Sequence, residues 1–278
     1  DRDLARRAAF ALPVGAGPER EQVLIELAAD SGASLRDRER ALQALAQSKS
    51  RTVVDTLLPL LDDVRLRPAV ARCLGQLGGK PAVEALLTAL NNERYPEARG
   101  AEVEALVGLK NKRVLPKIVR FLGTETGLPG GLEQWARLRG SGRVLGGVLI
   151  DMRAGARSAS LRGTWSCRGT TAPDSPAGCR PAGGKAELEA PRSLPDGQGR
   201  VVFTVWASSG DDWLRVHRHE LQLHRGRNEV AVPIHAGAGA TRFPVQASQG
   251  AFIELIGIVP RAADVPPPPP EPVAQVTD

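Results

Sequence analysis

Hydrophobic residues in the first half of the chain recur at spacings of three and four, the spacing of one face of an α-helix. Three segments with this pattern begin on a basic residue and start 29 and 32 residues apart: Arg51–Leu61, Lys80–Leu90 and Lys112–Leu122. Each follows another amphipathic segment: Arg38–Gln47, Arg67–Leu77 or Glu97–Leu109. Upstream, Leu4–Leu12 and Glu19–Ala29 form a further candidate pair. Because one helix pair cannot bury its apolar stripe alone, this period predicts an α-solenoid of stacked pairs.

The residues of one pair also carry a family resemblance. The run Arg67-Pro-Ala-Val-Ala-Arg-Cys-Leu-Gly-Gln-Leu-Gly78, followed by Pro81-Ala-Val-Glu-Ala-Leu-Leu87, resembles the short HEAT-like repeats related to those of the bilin lyases. The resemblance extends over about Arg36–Gly123 and implies a solenoid of helix pairs. It does not imply one activity, because such repeats serve scaffolds, lyase subunits and nucleic-acid binders alike.

The second half alternates apolar and polar residues at period two, as half-buried strands do. Eight strands are predicted: Arg143–Met152, Ser160–Ser166, Lys185–Ala190, Arg200–Ala207, Leu214–His224, Glu229–Ile234, Arg242–Ala247 and Ala251–Val259. Turn residues separate these segments, and no helical pattern lies between them. This arrangement predicts an antiparallel, jelly-roll-like β-sandwich. This half resembles the accessory and carbohydrate-binding modules of secreted enzymes in its number of strands and in the segment Asn228–Ile234 that leads to Ala251–Leu255.

The predicted fold class is therefore α+β with several domains. We expect a HEAT-like solenoid at 1–126, a Gly-rich linker at 127–142, a β-sandwich at 143–262 and a Pro-rich flexible tail at 263–278. Five consecutive prolines, Pro266–Pro270, favour extended polyproline II in that tail. The chain starts at Asp1 without methionine, which is typical of a processed product or a segment of a longer protein. No apolar run approaches the roughly 20 residues that cross a bilayer.

The net charge of +6 does not by itself indicate a nucleic-acid partner. Divided after Thr126, each half carries a net +3 (20 basic and 17 acidic residues, then 17 and 14), so the excess is spread evenly. The densest basic cluster is Lys110, Lys112, Arg113, Lys117 and Arg120. It has no interleaved aromatic residue for base stacking, so nucleic-acid binding is the least supported hypothesis.

The three cysteines give different signals. Cys73 lies in an apolar helical stretch and is expected to be a small buried hydrophobe. Cys167 and Cys179 bracket a loop rich in glycine, proline and threonine, and a disulfide between them would restrain that loop. Such a bond implies an oxidising compartment, so a periplasmic or extracellular location is expected. A zinc site is the weaker alternative, since no CxxC and no nearby histidine completes a ligand set.

Few other residues point to chemistry. Trp206 and Trp213 flank a loop and could stack on a sugar ring, or they could be core residues. Asp211 and Asp212 in that loop are too few for Ca²⁺ and more typical of a solvated turn. His217 and His219 are two apart on a predicted strand, a spacing that suits a metal, but no third ligand accompanies them.

No nucleophile elbow, phosphate loop or dinucleotide fingerprint is present in the sequence, so no catalytic residue, no metal and no cofactor is predicted. The main hypothesis is a non-catalytic scaffold whose solenoid binds a protein partner or a sibling domain of the same polypeptide. The alternative is the accessory, carbohydrate-binding region of a larger secreted hydrolase, and nucleic-acid binding by the solenoid is the third.

Overall fold

The computed structural model describes residues 17–140, 142–144, 146–156, 158–169, 177–191, 194, 197–235 and 242–263. The chain forms two compact units that divide between Asn111 and Lys112. We call the described residues up to Asn111 the helical unit and those from Lys112 onward the strand unit. The predicted helix Leu4–Leu12, the proline run and most of the loop between Cys167 and Cys179 lie outside the described residues.

The helical unit consists of α-helices joined by short turns. They are α1 (Pro18–Ala29), α2 (Leu35–Ser48), α3 (Val54–Leu57), α4 (Arg67–Leu77), α5 (Lys80–Asn92) and α6 (Pro96–Gly108). Proline stands in the first turn of α1, α4, α5 and α6, where its missing N–H is not needed. Ser34 caps α2 by accepting a hydrogen bond from the Asp37 N–H.

The segment Arg51–Leu61 is less regular than its periodicity predicts. Here α3 is flanked by the 3-10 turns Arg51–Val53 and Leu58–Asp62. Pro59 explains the break, because proline cannot donate the hydrogen bond that an α-helix needs at that position. The apolar residues still point inward, and Leu57 is fully buried.

Leucines at helical spacing fill the core of the helical unit. Gly75 on α4 faces Ala105 on α6, and a Cβ at Gly75 would lie 2.6 Å from the Ala105 Cβ. The two helices therefore approach closely, and only glycine allows that distance. The fully buried leucines are Leu24, Leu42, Leu45, Leu57, Leu66, Leu74, Leu86, Leu90 and Leu106.

The strand unit begins with two helices, α7 (Leu115–Leu122) and α8 (Gly131–Arg139). Ten strands are described after them: β1 (Gly142–Val144), β2 (Gly147–Asp151), β3 (Leu161–Arg168), β4 (Gly178–Glu189), β5 (Gln198–Ala207), β6 (Trp213–Val216), β7 (His219–Gln222), β8 (Gly226–His235), β9 (Arg242–Ala247) and β10 (Ala251–Pro260). Each lies in or beside a predicted strand segment.

The strands pair antiparallel throughout. β10 lies between β2 and β5, β1 pairs with β2, and β8 pairs with β5. β4 meets β10 at the pair Ile253 and Cys179. β4 also pairs with β3 and with β9, β9 pairs with β6, and β6 pairs with β7. Inward side chains from both groups share one core, with Phe203, Ile256, Leu188, Val216 and Val245 among its members. The α+β class and the antiparallel strands are confirmed.

The segment from 112 to 142 differs from its prediction as the end of the solenoid and a Gly-rich linker. Residues from Lys112 cluster with the strands, and α8 occupies most of the predicted linker. Trp135 on α8 is fully buried, and Leu132 packs on Gly257, where a Cβ would overlap it. The glycines around residue 130 favoured the prediction of a linker. The segment nevertheless contains a short apolar stripe with the three-residue spacing of a helix: Leu132, Trp135 and Leu138.

Ion pairs fix α8 to the strands. Glu133 Oε2 accepts hydrogen bonds from Arg153 Nη1 at 3.0 Å and from Arg227 Nη2 at 2.8 Å. Arg227 Nε also donates to Glu254 Oε2 on β10 at 2.8 Å. Because α8 covers the outer face of β2, β5 and β10, those strands are buried on both faces, which explains their nearly continuous apolar sequences.

Candidate interaction surfaces

A groove of about 340 Å³ runs between α2 and α4 in the helical unit. We call it the α2–α4 groove. On α2 it is lined by Arg36, Glu39, Arg40, Leu42, Gln43 and Ala46, and on α4 by Ala69, Arg72, Cys73 and Gln76. A volume of this size accommodates a few side chains of a binding partner.

The groove has a polar rim and an apolar floor. Arg36, Arg40, Gln43, Arg72 and Gln76 are exposed. Three- and four-residue spacings place the lining residues of each helix on one side, as α-helical geometry requires. The floor residues, Leu42, Ala46, Ala69 and Cys73, are buried and mostly small. Burial raises the pKa of the Cys73 thiol to about 12, so the floor is uncharged at neutral pH.

The electrostatics of the groove are basic. Three arginines and one glutamate line it. Across the described part of the chain, Arg36 and Arg72 form no ion pair. Their guanidinium groups are therefore open to a carboxylate supplied by another molecule, which could accept two parallel N–H bonds from each.

Other arginines of the same helices serve the fold. Arg38 is buried, donates from Nε to the Ala28 carbonyl at 2.8 Å, and pairs with Asp63 at 2.7 Å. Burial alone would raise the pKa of Asp63, but the hydrogen bond and charge of Arg38 outweigh it and lower that pKa. Arg67 pairs with the buried Glu93 at 2.9 Å. These two arginines are therefore structural, unlike Arg36 and Arg72.

Glu102 is the most unusual acid of the helical unit. It is fully buried on α6, and neither carboxyl oxygen has a hydrogen-bond partner within the described residues. Burial, and then the neighbouring charge of Glu93, raise the pKa of Glu102 to about 9. The group is protonated at neutral pH and acts as a neutral core residue rather than as an ion-binding site.

In the strand unit, the two candidate tryptophans do not share a face. Their neighbours Val205 and Ala207 on β5, and Leu214 on β6, belong to the core, so Trp206 and Trp213 project outward from different strands. Trp206 is half-buried and pairs across the strands with Phe252 and Arg227. Trp213 is half-buried under the Arg215 guanidinium, 5.4 Å from the ring centre. The arrangement lacks the common platform that a sugar-binding pair needs.

The two candidate aspartates have separate environments. Asp211 is exposed, whereas Asp212 is buried and accepts hydrogen bonds from Ser208 Oγ at 2.9 Å, the Ser209 N–H at 2.9 Å and Ser248 Oγ at 2.5 Å. Burial by itself raises the pKa of Asp212, but these donors outweigh it and lower that pKa. Asp212 therefore ties the loop after β5 to the loop before β10.

The two histidines do not share one strand, because a turn that contains His217 precedes the strand that begins at His219. This corrects the prediction of a single strand over Leu214–His224. β6 ends at Val216, His217 adopts a left-handed backbone with φ 54°, and β7 begins at His219. Histidine adopts the left-handed backbone conformation more readily than most residues do. The sequence Val-His-Arg-His, however, contains no glycine or asparagine that would predict a turn. Among the residues that the structure describes, no three His, Cys, Asp or Glu side chains converge as a metal requires.

Cys167 and Cys179 form a disulfide between directly opposed residues of β3 and β4. Cys167 is exposed and Cys179 is fully buried. The bond joins the two strands at the base of the loop that it is predicted to restrain. It is compatible with an exported protein.

A second cavity, of about 270 Å³, lies in the strand unit between the loop after α7 and strands β5 and β8. The buried Arg200 lines it, with Nη1 donating to the Thr124 carbonyl at 2.5 Å and pairing with Glu125 at 3.1 Å. Glu229 accepts from the Gly130 N–H at 2.6 Å. Burial raises the pKa of Glu229. The charged groups of this cavity thus engage one another and the backbone.

The arginines of the α2–α4 groove are not among the residues that the sequence predicted to be functional. The usable signal was the pair Arg36 and Arg40, one helical turn apart beside the apolar stripe of α2, with Arg72 at the equivalent side of α4. None of the helices in the described ranges is long and apolar enough to span a membrane.

Comparison with known protein families finds a similarity in the helical region. No curated protein matches this chain. Over residues 21–107, which contain most of α1 and all of α2 to α5, the chain matches the family model of HEAT repeats, so this region is similar to HEAT repeats in sequence as well as in its paired helices.

Proposed function

We propose that this protein is a non-catalytic scaffold whose helical unit binds a protein partner. The observation that carries the proposal is the α2–α4 groove, an open surface with a basic rim and an apolar floor inside the HEAT-repeat region. HEAT repeats are generally protein-interaction scaffolds, because stacked helix pairs present extended surfaces for partners. In this proposal the strand unit holds or presents the helical unit and performs no chemistry of its own.

An exported location is part of the proposal. The disulfide between Cys167 and Cys179 supports it, since such bonds persist in oxidising compartments. We propose the periplasm or the cell exterior as the place where the partner is met.

Photo-crosslinking in the native host tests this function. A photoreactive phenylalanine analogue replaces Gln43 or Gln76 in the full chain, and the matched control replaces Gln222, which is exposed on β7 of the strand unit. We expect a discrete protein adduct at the two groove positions and none at Gln222. The protein identified in the adduct, once purified, should then bind the unmodified chain saturably. Absence of any adduct at Gln43 and Gln76 would remove the support for a scaffold.

A further inference from the structure

We infer that the α2–α4 groove recognises an acidic segment of the partner protein, in which carboxylates flank small or medium apolar side chains. This inference rests on the proposed function and adds the chemistry of the partner to it. Four features of the groove lead to it: its uncompensated charge, its floor, its length and its single glutamate.

The uncompensated charge fixes the sign of the ligand. Arg36 on α2 and Arg72 on α4 are exposed and form no ion pair in the described part of the chain, whereas the buried Arg38 and the partly buried Arg67 each pair with an acid of the fold. A carboxylate suits an open guanidinium, since two parallel hydrogen bonds match its planar fork. One acid is thus expected at each wall of the groove.

The floor selects the residues between those acids. Ala46, Ala69 and Cys73 are small and buried, and Leu42 closes one side. Burying an apolar side chain against them is favourable by the hydrophobic effect. Alanine, valine or leucine fits a volume of about 340 Å³ that must also hold part of the backbone.

The length of the groove suits a short segment. From Arg36 to Ala46, α2 extends roughly 15 Å at the helical rise per residue. That distance equals about three turns of a docked helix or about five residues of an extended chain. A linear acidic motif or one face of a partner helix is therefore sufficient to fill it.

The same lining argues against a nucleic acid. Glu39 stands among the arginines, where it would repel a phosphate backbone, and the lining contains no aromatic side chain on which a base could stack. Gln43 and Gln76 add amide groups that can hydrogen-bond to a peptide backbone. A protein segment is consequently the favoured occupant.

Fluorescence anisotropy with defined peptides tests this inference on the full chain. The probe is a labelled, helix-forming peptide of roughly 15 residues made of glutamate, alanine and leucine. The comparison probes replace every glutamate by glutamine or by lysine, and a labelled single-stranded RNA is the nucleic-acid probe. We expect saturable binding of the acidic peptide alone, weakening as salt is raised because exposed ion pairs are screened.

Charge-reversal variants locate the binding. Arg36→Glu combined with Arg72→Glu should weaken binding of the acidic peptide by about tenfold or more, since two ion pairs become repulsions. The matched control is Arg51→Glu combined with Arg65→Glu, which changes the net charge equally at exposed arginines outside the groove. It should leave the affinity within about twofold. Far-UV circular dichroism verifies that both variants remain helical.

Several results would overturn the inference: no saturable binding of the acidic peptide, equal binding of the glutamine peptide, tighter binding of the RNA, or equal loss in the two double variants. The photo-adduct at Gln76 separates this failure from failure of the scaffold. If that adduct forms unchanged in the chain carrying Arg36→Glu and Arg72→Glu, the scaffold stands and the acidic recognition is wrong. If the unmodified chain forms no adduct, the scaffold itself is wrong.

Discussion

The two units treat a buried carboxyl group in opposite ways. In the helical unit, Glu102 is enclosed without hydrogen-bond partners in the described residues, and its pKa rises to about 9. In the strand unit, Asp212 is almost as enclosed but accepts hydrogen bonds from three serines, and its pKa falls. Burial is common to both groups, so the donors supplied by the surroundings decide whether a buried acid is neutral or charged.

The units also differ in how they bury apolar area. Helices α2 and α4 bury their apolar residues but leave Arg36 and Arg72 exposed, and the α2–α4 groove lies between them. Strands β2, β5 and β10 are covered on both faces. We therefore expect the strand unit to depend on individual core residues, and the helical unit to offer its surface for binding.

Removing the tryptophan of α8 should destabilise the strand unit most. Trp135→Ala leaves a large cavity where α8 covers the strands, and such truncations cost about 3–5 kcal/mol. All four tryptophans, Trp135, Trp165, Trp206 and Trp213, lie in the strand unit. Tryptophan fluorescence during urea unfolding therefore measures the stability of this unit alone.

Trp213→Ala is the matched control for that experiment. Trp213 is half-buried and outward-facing, so its removal should cost clearly less than that of Trp135. Equal losses for the two substitutions would contradict the description of α8 as a covering layer. A loss confined to Trp213 would contradict it more strongly.

Breaking the disulfide should have the next largest effect. Cys167→Ser combined with Cys179→Ser frees a loop whose ends are 12 residues apart. The loop-entropy estimate gives a loss of about 3 kcal/mol in the strand unit. Dithiothreitol should produce the same loss in the unmodified chain and none in the double variant. If fluorescence-detected unfolding is unchanged in both cases, the bond does not stabilise the unit.

The sequence predicted the helices and strands well because each carries its own periodicity. The stripe of α4 and the alternation of β9 are local signals, and both elements lie where they were expected. The helix α8 was missed because Gly127, Gly130 and Gly131 suggested a linker. The turn at His217 was missed because its conformation follows from strand pairing and not from its residue types.

The candidate site was harder to predict for a physical reason. Arg36 and Arg38 look alike in the sequence, yet Arg38 turns inward to Asp63 and Arg36 lines the α2–α4 groove. Two residues differ by 200° around a helix, so the face decides the role. Which acid neutralises which arginine depends on packing between repeats, and a single sequence does not display that packing.

Glu102→Gln should change how the stability of the helical unit depends on pH. The folded-state pKa is raised to about 9 from an ordinary value of 4.5, so the neutral form stabilises the fold fully below 4.5 and that contribution is lost as pH rises toward 9. Glutamine mimics the neutral acid. The variant should match the unmodified chain at about pH 5 and exceed it by on the order of 1–3 kcal/mol at about pH 8.

Far-UV circular dichroism during denaturation measures this effect, since most of the described helical residues lie in the helical unit. Glu104→Gln is the matched control, because Glu104 is exposed two residues along the same helix. Its difference from the unmodified chain should stay flat between the two pH values. A flat difference for Glu102→Gln as well would mean that Glu102 is ionised in the fold, and the contrast with Asp212 would disappear.

Asp212→Asn should give the smallest effect and the opposite dependence on pH. The amide replaces one acceptor oxygen by a donor, so part of the set formed by Ser208, Ser209 and Ser248 is lost, at about 1 kcal/mol. The Ser209 N–H cannot rotate to compensate as the hydroxyls can.

Because the folded pKa of Asp212 is lowered, its contribution is complete above the ordinary value of 3.8 and is lost as pH falls through the folded pKa. The deficit of the variant, read from tryptophan fluorescence, should therefore be constant near neutral pH and shrink in acid. The matched control is Asp211→Asn, at the exposed neighbour, which should show no deficit at any pH. If the deficit of Asp212→Asn instead grows in acid, the serines stabilise the neutral acid. The two units would then bury carboxyl groups in the same way.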